Sequence, residues 1–415
     1  MSATVSKNAF YHFIFTLCVA VPYLNNYELT FAVWFLAIGI SLRKSYSKYL
    51  IYQVFLFGAI LFLAFLSSFF NDYKSYDFIR DITYLIKPIL GLLVGYQLCR
   101  NYLLNPFKSV IYAGVFLGIL HLIIVFYYFF IHGVRDIHGL RFEAGYFSDF
   151  EVYALVAVLF HKELGVELSR KMKIQFIVVL AVSSMFYLAR INFIQFAVLF
   201  MAMKGYFVVN RRMVIVLSSI VVSCVVFYAA ILYVNPRRNG KGFEAFLYKV
   251  KIAPIEPFKT TFVKGDWKDF NDNYRSVENI LTVRQMTSDK AGMVIFGKGL
   301  GSRVDLNQIV LLDGVEMQYI SILHNGYMTV FLKSGIIGVL ILILSIFLLL
   351  KAKNSHPEFR YYNYMLVGSV LFLWLSYWVF MGFYFKADTK SILIGLLLAA
   401  FEKKRLEIKQ NLEVS

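Results

Sequence analysis

The chain of 415 residues is 59% hydrophobic and only 16% charged, whereas soluble domains carry roughly 45–50% apolar residues, so an ordinary soluble globular body is excluded. A formal net charge of +17 would suit nucleic acid, but the basic residues are scattered between apolar runs and build no stripe. No nucleic-acid partner is expected, and membrane lipids with anionic headgroups are the counter-surface these bases fit.

A helix needs about 17–25 apolar residues to cross a hydrocarbon core ~30 Å thick. Twelve segments qualify as candidates, centred near residues 17, 34, 59, 89, 120, 155, 182, 197, 224, 339, 371 and 395. The first lacks a small-residue cleavage site and leads at once into the second, so it reads as a retained helix and not as a signal peptide. Arg43, Lys44 and Lys48 follow the second segment, Arg100 and Lys108 the fourth, and Lys162, Arg170, Lys171 and Lys173 the sixth. The same parity holds for Lys204, Arg211 and Arg212, for Lys351, Lys353 and Arg360, and for Lys403, Lys404 and Arg405. Basic loops mark the cytoplasmic side, so both termini are expected there.

The predicted fold class is all-α, a polytopic transmembrane bundle of about 12 helices with one long outer loop between helices nine and ten. Helices one to nine fall in residues 1–234, the loop in 235–324, helices ten to twelve in 325–402 and a cytoplasmic tail in 403–415. The loop's bases are interleaved with Glu244, Asp266, Asp269, Asp272 and Glu278, the pattern of a solvated surface. Cys18, Cys99 and Cys224 lie in or beside apolar segments, with no CxxC and no histidine at ligand spacing, so neither a disulfide nor a metal site is expected.

Basic residues inside or against apolar runs are costly unless they face water, a partner or a ligand. Four places stand out. Arg190 stands between two apolar runs, where a snorkelling arginine at a helix end is the plainer reading. Lys87 follows Arg80 and Asp81 within one apolar segment, and pairing of Asp81 with Arg80 or a neighbouring helix accounts for part of that charge. Arg135 and Arg141 sit in the outer segment Arg135–Gly145, which a simple hydrophilic turn also explains. Arg284 precedes Gly297-Lys298-Gly299-Leu300-Gly301, and His324-Asn325 then opens the tenth helix. That glycine spacing opens no βαβ unit, so a tight turn packed near the membrane fits better than a nucleotide site.

Together Arg190, Arg284, Arg141 and Lys87 put cations on the outer face near one histidine. Guanidinium forks match phosphate oxygens bidentately, which points to an anionic lipid headgroup. A diphosphate is the natural candidate, since several arginines can share its charge and stabilise it as a leaving group. His324 would serve as general base on an acceptor hydroxyl, histidine being the side chain that ordinarily titrates near neutrality.

These residues resemble the bacterial O-antigen ligase and polymerase superfamily, integral membrane glycosyltransferases of the GT-C type. His324-Asn325, nine residues, then Gly335-Ile336-Ile337-Gly338 is similar to that family's H[NSQ]-x9-GxxG signature. Arg284 with Phe296-Gly297-Lys298-Gly299-Leu300-Gly301 resembles its arginine and glycine turn, with Phe296 where a proline is common. Arg190 resembles the arginine of a Ser-Arg motif, with Ala189 for the serine, and Arg141 to Gly145 resembles an R-x-x-G stretch offset by one.

The resemblance implies an enzyme of the bacterial inner membrane with its active site facing the periplasm. Its donor would be an undecaprenyl-diphosphate-linked glycan, and its acceptor a second such glycan or lipid A core. His324, Arg284 and Arg190 would be catalytic, Arg141, Lys87, Asn325, Lys298 and Arg135 would bind substrate, and no metal or other cofactor would take part. A chain-length regulator is a further expected partner. Polymerisation of repeat units is the preferred reaction, ligation to lipid A core the alternative, and a non-catalytic flippase or transporter the reading from another class.

Overall fold

The structure is a computed structural model that describes residues 2–135, 139–140, 143–144, 149–187, 189–208, 211–238, 243–252, 273–288, 291–312 and 315–414. Among the described residues the chain forms fifteen α-helices and one two-stranded sheet. In chain order these are α1 (Ser2–Ala20), α2 (Tyr27–Ile40), α3 (Lys48–Ser68), α4 (Ser75–Asn101), α5 (Pro106–Phe130), α6 (Asp149–Leu159), α7 (Arg170–Phe186) and α8 (Arg190–Met203). There follow α9 (Arg211–Val234), α10 (Phe243–Ile252), α11 (Tyr274–Ser288), α12 (Ala291–Phe296), β1 (Val304–Leu312), β2 (Val315–Ile320), α13 (Gly326–Leu350), α14 (Arg360–Phe380) and α15 (Lys390–Val414).

Every one of the twelve centres marked in the sequence falls inside a helix, and the three remaining helices lie between α9 and β1. Six segments are long and apolar enough to cross a membrane: Lys48–Ser68, Ser75–Arg100, Pro106–Phe130, Arg211–Val234, Gly326–Leu350 and Pro357–Phe380. The chain therefore has the helices of a membrane protein. The others are shorter or more polar. At 1.5 Å rise per residue the 14 residues of α2 or α8 reach about 21 Å and the 11 of α6 about 16 Å, less than a ~30 Å core.

Local chemistry sets several helix starts. Asn26, Asn105 and Ser169 cap α2, α5 and α7, each side-chain oxygen accepting from the backbone N–H three residues on, which satisfies a donor the first turn leaves orphaned. Pro106 follows Asn105 at the first helical position, where its missing N–H costs nothing.

The chain divides into two compact units, the first made of Met1–Phe62, Ile82–Lys204 and Leu340–Ser415, the second of Leu63–Asp81 and Gly205–Val339. In the first, Gly91 and Gly95 of α4 meet Ser391 and Ile392 of α15 so closely that a Cβ on Gly95 would stand 2.8 Å from the Ile392 carbonyl carbon. Small residues four apart let two apolar helices touch backbone to backbone. Helix α6 is buried from Asp149 to Val158 and packs against α5, α7 and α8, which explains why so short a segment carries no polar face.

The second unit holds a separate apolar core. Val277, Leu281 and Met286 of α11 pack with Val304, Leu306 and Val310 of β1, Ile320, Leu323, and Leu332 of α13. The antiparallel pair β1–β2 was absent from the all-α expectation, and its register pairs Leu312 with Val315. In the sequence the dipeptide Asp313-Gly314, outside the described residues, is one that favours tight hairpins. Glu278 also departs from its expectation: it is 1% exposed, in the buried face of α11 beside Val277 and Leu281, and not part of a solvated surface. Asp266, Asp269 and Asp272 lie outside the described residues.

Candidate active site

Helix α11 carries Tyr274, Val277, Glu278 and Leu281 at helical spacing, so packing the apolar members into the core takes Glu278 in with them. A buried carboxylate needs partners, and the turn between β2 and α13 supplies them. Glu278 Oε2 accepts from the His324 backbone N–H at 2.9 Å and Oε1 lies 3.0 Å from His324 Nδ1. Tyr274 closes one side of the imidazole, its ring edge-on at 5.2 Å and 86°. The Glu278 side chain is 1% exposed and that of His324 42%. A carboxylate at Nδ1 fixes the tautomer and orientation of an imidazole.

The backbone around His324 is held from the other side. Asn325 Oδ1 accepts from the N–H groups of Tyr327 at 3.0 Å and Met328 at 3.2 Å, so it caps α13. Thr329 Oγ1 accepts from the Leu323 N–H at 3.0 Å. Asn325 is 2% exposed and its Nδ2 has no hydrogen-bond partner.

Helix α13 breaks at Gly335, whose φ of 65° and ψ of −166° leave the helical region. The break frees carbonyls upstream, and the glycine strip supplies their donors: Lys298 N–H reaches Leu332 O at 2.8 Å and Gly299 N–H reaches Lys333 O at 3.0 Å. Leu300 N–H reaches Ala64 O of α3 at 3.1 Å. Gly297, Gly299 and Gly301 all have φ between 86° and 89°, a conformation that costs a glycine little. Thus the glycine turn and the Gly335 break, well separated in sequence, are two sides of one contact.

Beside that contact lies a buried charge cluster. Lys333 of α13 pairs with Asp81 of α4 at 2.6 Å and donates to Ser302 O, and Gly301 N–H donates to Asp81 Oδ2 at 2.7 Å. Asp77 pairs with Arg80 at 2.9 Å and with Arg303 at 3.0 Å, and the Arg303 guanidinium lies 5.6 Å over the Tyr319 ring. Lys333 and Asp81 are wholly buried, so their charges hold the broken helix to α4 and are closed to solvent.

The residues singled out in the sequence are placed as follows. His324, Asn325, Arg284 and Lys298 belong to the second unit, and Arg190, Lys87 and Arg135 to the first. His324 and Asn325 are brought together with Glu278. Arg284 is exposed on α11, six residues past Glu278, which is about 9 Å along the helix and about 240° around it. Lys298 is half-buried in the glycine strip, its carbonyl accepting from Tyr73 Oη at 2.8 Å. Arg190 begins α8 and is exposed, as is Arg135 after α5. Lys87 is wholly buried, its Nζ donating to Phe385 O at 2.8 Å and to Lys386 O. Arg141 lies outside the described residues.

Sequence reasoning missed Glu278, Lys333 and Arg303. Lys333 carried a signal, as a charge within the apolar run 326–350, and so did Glu278, by its spacing from Tyr274 and Leu281. Arg303 carried none. Compared with known proteins, the chain matches no family model, no curated protein and no solved structure, so the likeness to the ligase and polymerase superfamily stands on the motifs alone.

Proposed function

We propose that the chain is a metal-independent inverting glycosyltransferase that takes a glycan from undecaprenyl diphosphate at the periplasmic face of the bacterial inner membrane. The preferred reaction is polymerisation of surface-polysaccharide repeat units, with transfer to lipid A core as its alternative. The observation that carries the reading is the Glu278–His324 pair, a half-exposed imidazole on a buried carboxylate. In the reaction the acceptor oxygen attacks the anomeric carbon, its proton passes to His324 Nε2, and the bond to the diphosphate oxygen breaks with its electron pair leaving on the diphosphate. Glu278 holds the imidazole through this transfer. Arg284 offers a guanidinium fork to the leaving group, a task the family likeness also assigns to Arg190.

The deciding assay uses the purified chain in detergent with a synthetic undecaprenyl-diphosphate oligosaccharide, alone or with lipid A core, in EDTA. A ladder from the lipid-linked glycan alone, lost in His324→Ala and Arg284→Ala, identifies a polymerase. Product only with lipid A core identifies a ligase. No product with cognate substrates would sink the enzyme reading.

One observation favours transport as a second reading. In the first unit Lys390 pairs with Asp149 and, at 2.9 Å, with Asp388, all three buried, while Lys87 is buried near the middle of α4. Ionisable residues inside a helix bundle commonly mark ion or substrate paths.

A further inference from the structure

The charge cluster beside the broken helix is buried at one end and open at the other. Its members alternate in sign along a chain: Lys333 to Asp81, Asp81 to Arg80 at 3.6 Å, Arg80 to Asp77 at 2.9 Å and Asp77 to Arg303 at 3.0 Å. All five belong to the second unit. Three cations against two carboxylates leave one positive charge in excess. The side chains of Lys333 and Asp81 are 0% exposed and that of Asp77 4%, whereas those of Arg80 and Arg303 are 24% and 33% exposed. Two guanidinium groups therefore present the excess to solvent. Asp77 holds one on each oxygen, Arg80 Nη1 at Oδ1 and Arg303 Nη2 at Oδ2. Each also lies over a tyrosine ring, Arg80 at 5.8 Å from Tyr76 and Arg303 at 5.6 Å from Tyr319, and both tyrosines are exposed.

We propose that Arg80 and Arg303, held by Asp77, bind the anionic group of an acidic sugar, a carboxylate or a phosphoryl group, and that the Tyr319 ring seats the sugar that bears it. Among the described residues the Arg303 guanidinium meets Asp77 and Tyr319. A guanidinium carries five N–H donors in one planar fork, so bonding to Asp77 through one nitrogen leaves donors for an oxyanion, which such a fork matches bidentately. Asp77 orients both guanidinium groups before a ligand arrives, and a pre-organised site loses less side-chain freedom on binding. Asp77 also offsets only one of the two charges, so an anion on the ligand completes the balance. The face of an aromatic ring carries negative charge density and attracts the C–H groups of a pyranose. A neutral sugar uses the ring alone and an inorganic anion the guanidinium groups alone, whereas an acidic sugar uses both. None of these residues takes part in the proton transfer proposed at His324, and the site does not depend on the transferase reading.

Arginines that only tie β1 to α4 would bind no ligand. The test is isothermal titration calorimetry of the full chain in nanodiscs of zwitterionic lipid, at low salt, which preserves surface electrostatics. The probes are trigalacturonate, its neutral counterpart galactotriose, glucose 1-phosphate and inorganic phosphate. Saturable binding of trigalacturonate or of glucose 1-phosphate is expected, and which of them binds tells carboxylate from phosphoryl group. Galactotriose and inorganic phosphate should each bind more weakly by about tenfold or more, as when a contact to a charged group is missing. Arg303→Gln should weaken the acidic sugar by about tenfold or more, and Tyr319→Ala should weaken it while leaving inorganic phosphate unchanged. Should Arg303→Gln not fold, Arg303→Lys carries the test, because it keeps the charge and loses the fork, and it should weaken binding by about threefold or more. No saturable binding of either acidic sugar overturns the proposal, as does inorganic phosphate binding equally well. Affinity unchanged in the Arg303 variants but lost in Arg284→Ala would place the anion at the candidate active site and overturn it too.

Discussion

Gly299→Ala tests the account of the broken helix most directly. With φ at 89°, an alanine at this position pays about 1–2 kcal/mol for its left-handed backbone. Its Cβ would overlap the Ser68 amide nitrogen and stand 2.5 Å from the Ser68 Cα and 2.7 Å from the Ser67 carbonyl carbon. These are backbone atoms at the end of α3, unable to swing aside as a side chain does, and forced overpacking costs about 1–3 kcal/mol. The sum is about 2–5 kcal/mol. The upper end is expected if the strip retreats far enough to take the donors from Leu332 O and Lys333 O, since an orphaned buried carbonyl costs about 1–3 kcal/mol. Thermal denaturation in detergent should show a melting point lowered by roughly 2–6 °C, because the unfolding entropy of so long a chain is large. Gly58→Ala, in the same helix α3 and with no heavy atom within 4 Å of the added Cβ, is the control. It should be neutral, or stabilising by about 0.5–1 kcal/mol. If Gly299→Ala melts with Gly58→Ala, the strip does not rest on the backbone of α3 and the reasoning fails.

Three further substitutions address the Glu278–His324 pair, the cap of α13 and the buried Lys390 cluster. Glu278→Gln keeps size and removes charge, so the initial rate on lipid-linked glycan should fall by about 10²–10⁴-fold, and combining it with His324→Ala should cost no more than the worse single change. An additive loss would mean that the two residues do not act as a unit. Asn325→Ala removes the cap of α13 and should lower stability by about 1 kcal/mol, with Asn325→Ser recovering most of it in the same melting assay. Lys390→Met leaves Asp149 and Asp388 buried without their ammonium and should cost about 3–5 kcal/mol. Adding Asp149→Asn and Asp388→Asn to it should restore part of that loss, whereas a further drop would show that the carboxylates are stabilised by something other than Lys390.

Helix positions were legible because long apolar runs have one solution in lipid, the backbone having to satisfy itself. Crossing was less legible. Lengths such as the 11 residues of α6 separate a buried helix from a spanning one only when its neighbours are known. The hairpin was written in Asp313-Gly314 and in the alternation of Val304 and Leu306, but it lay inside a stretch whose many charges suggested surface. His324 and the glycine spacing were visible as local patterns. What they touch was not: Glu278 is 46 residues from His324, and pairings that distant are decided by tertiary packing. Lys87 shows the reverse error of scale. Its charge within an apolar run was conspicuous, yet its ammonium is satisfied by the carbonyls of Phe385 and Lys386, nearly three hundred residues on, which no local reading supplies.

Accessibility separates the two centres more sharply than charge does. The proposed glycan transfer needs an exposed imidazole with a fixed partner behind it, and in the Glu278–His324 pair one side chain is 42% exposed on another at 1%. Lys390, Asp149, Asp388 and Glu151 are buried on every side, so nothing larger than a proton, a water or a small ion reaches them without the bundle opening. Substitution of His324 itself should therefore reduce transfer while leaving the melting point near that of the parent, and substitutions around Lys390 should lower the melting point first. Loss of transfer from Lys390→Met at a temperature where it is still folded would break that division and place the buried pair within the reaction itself.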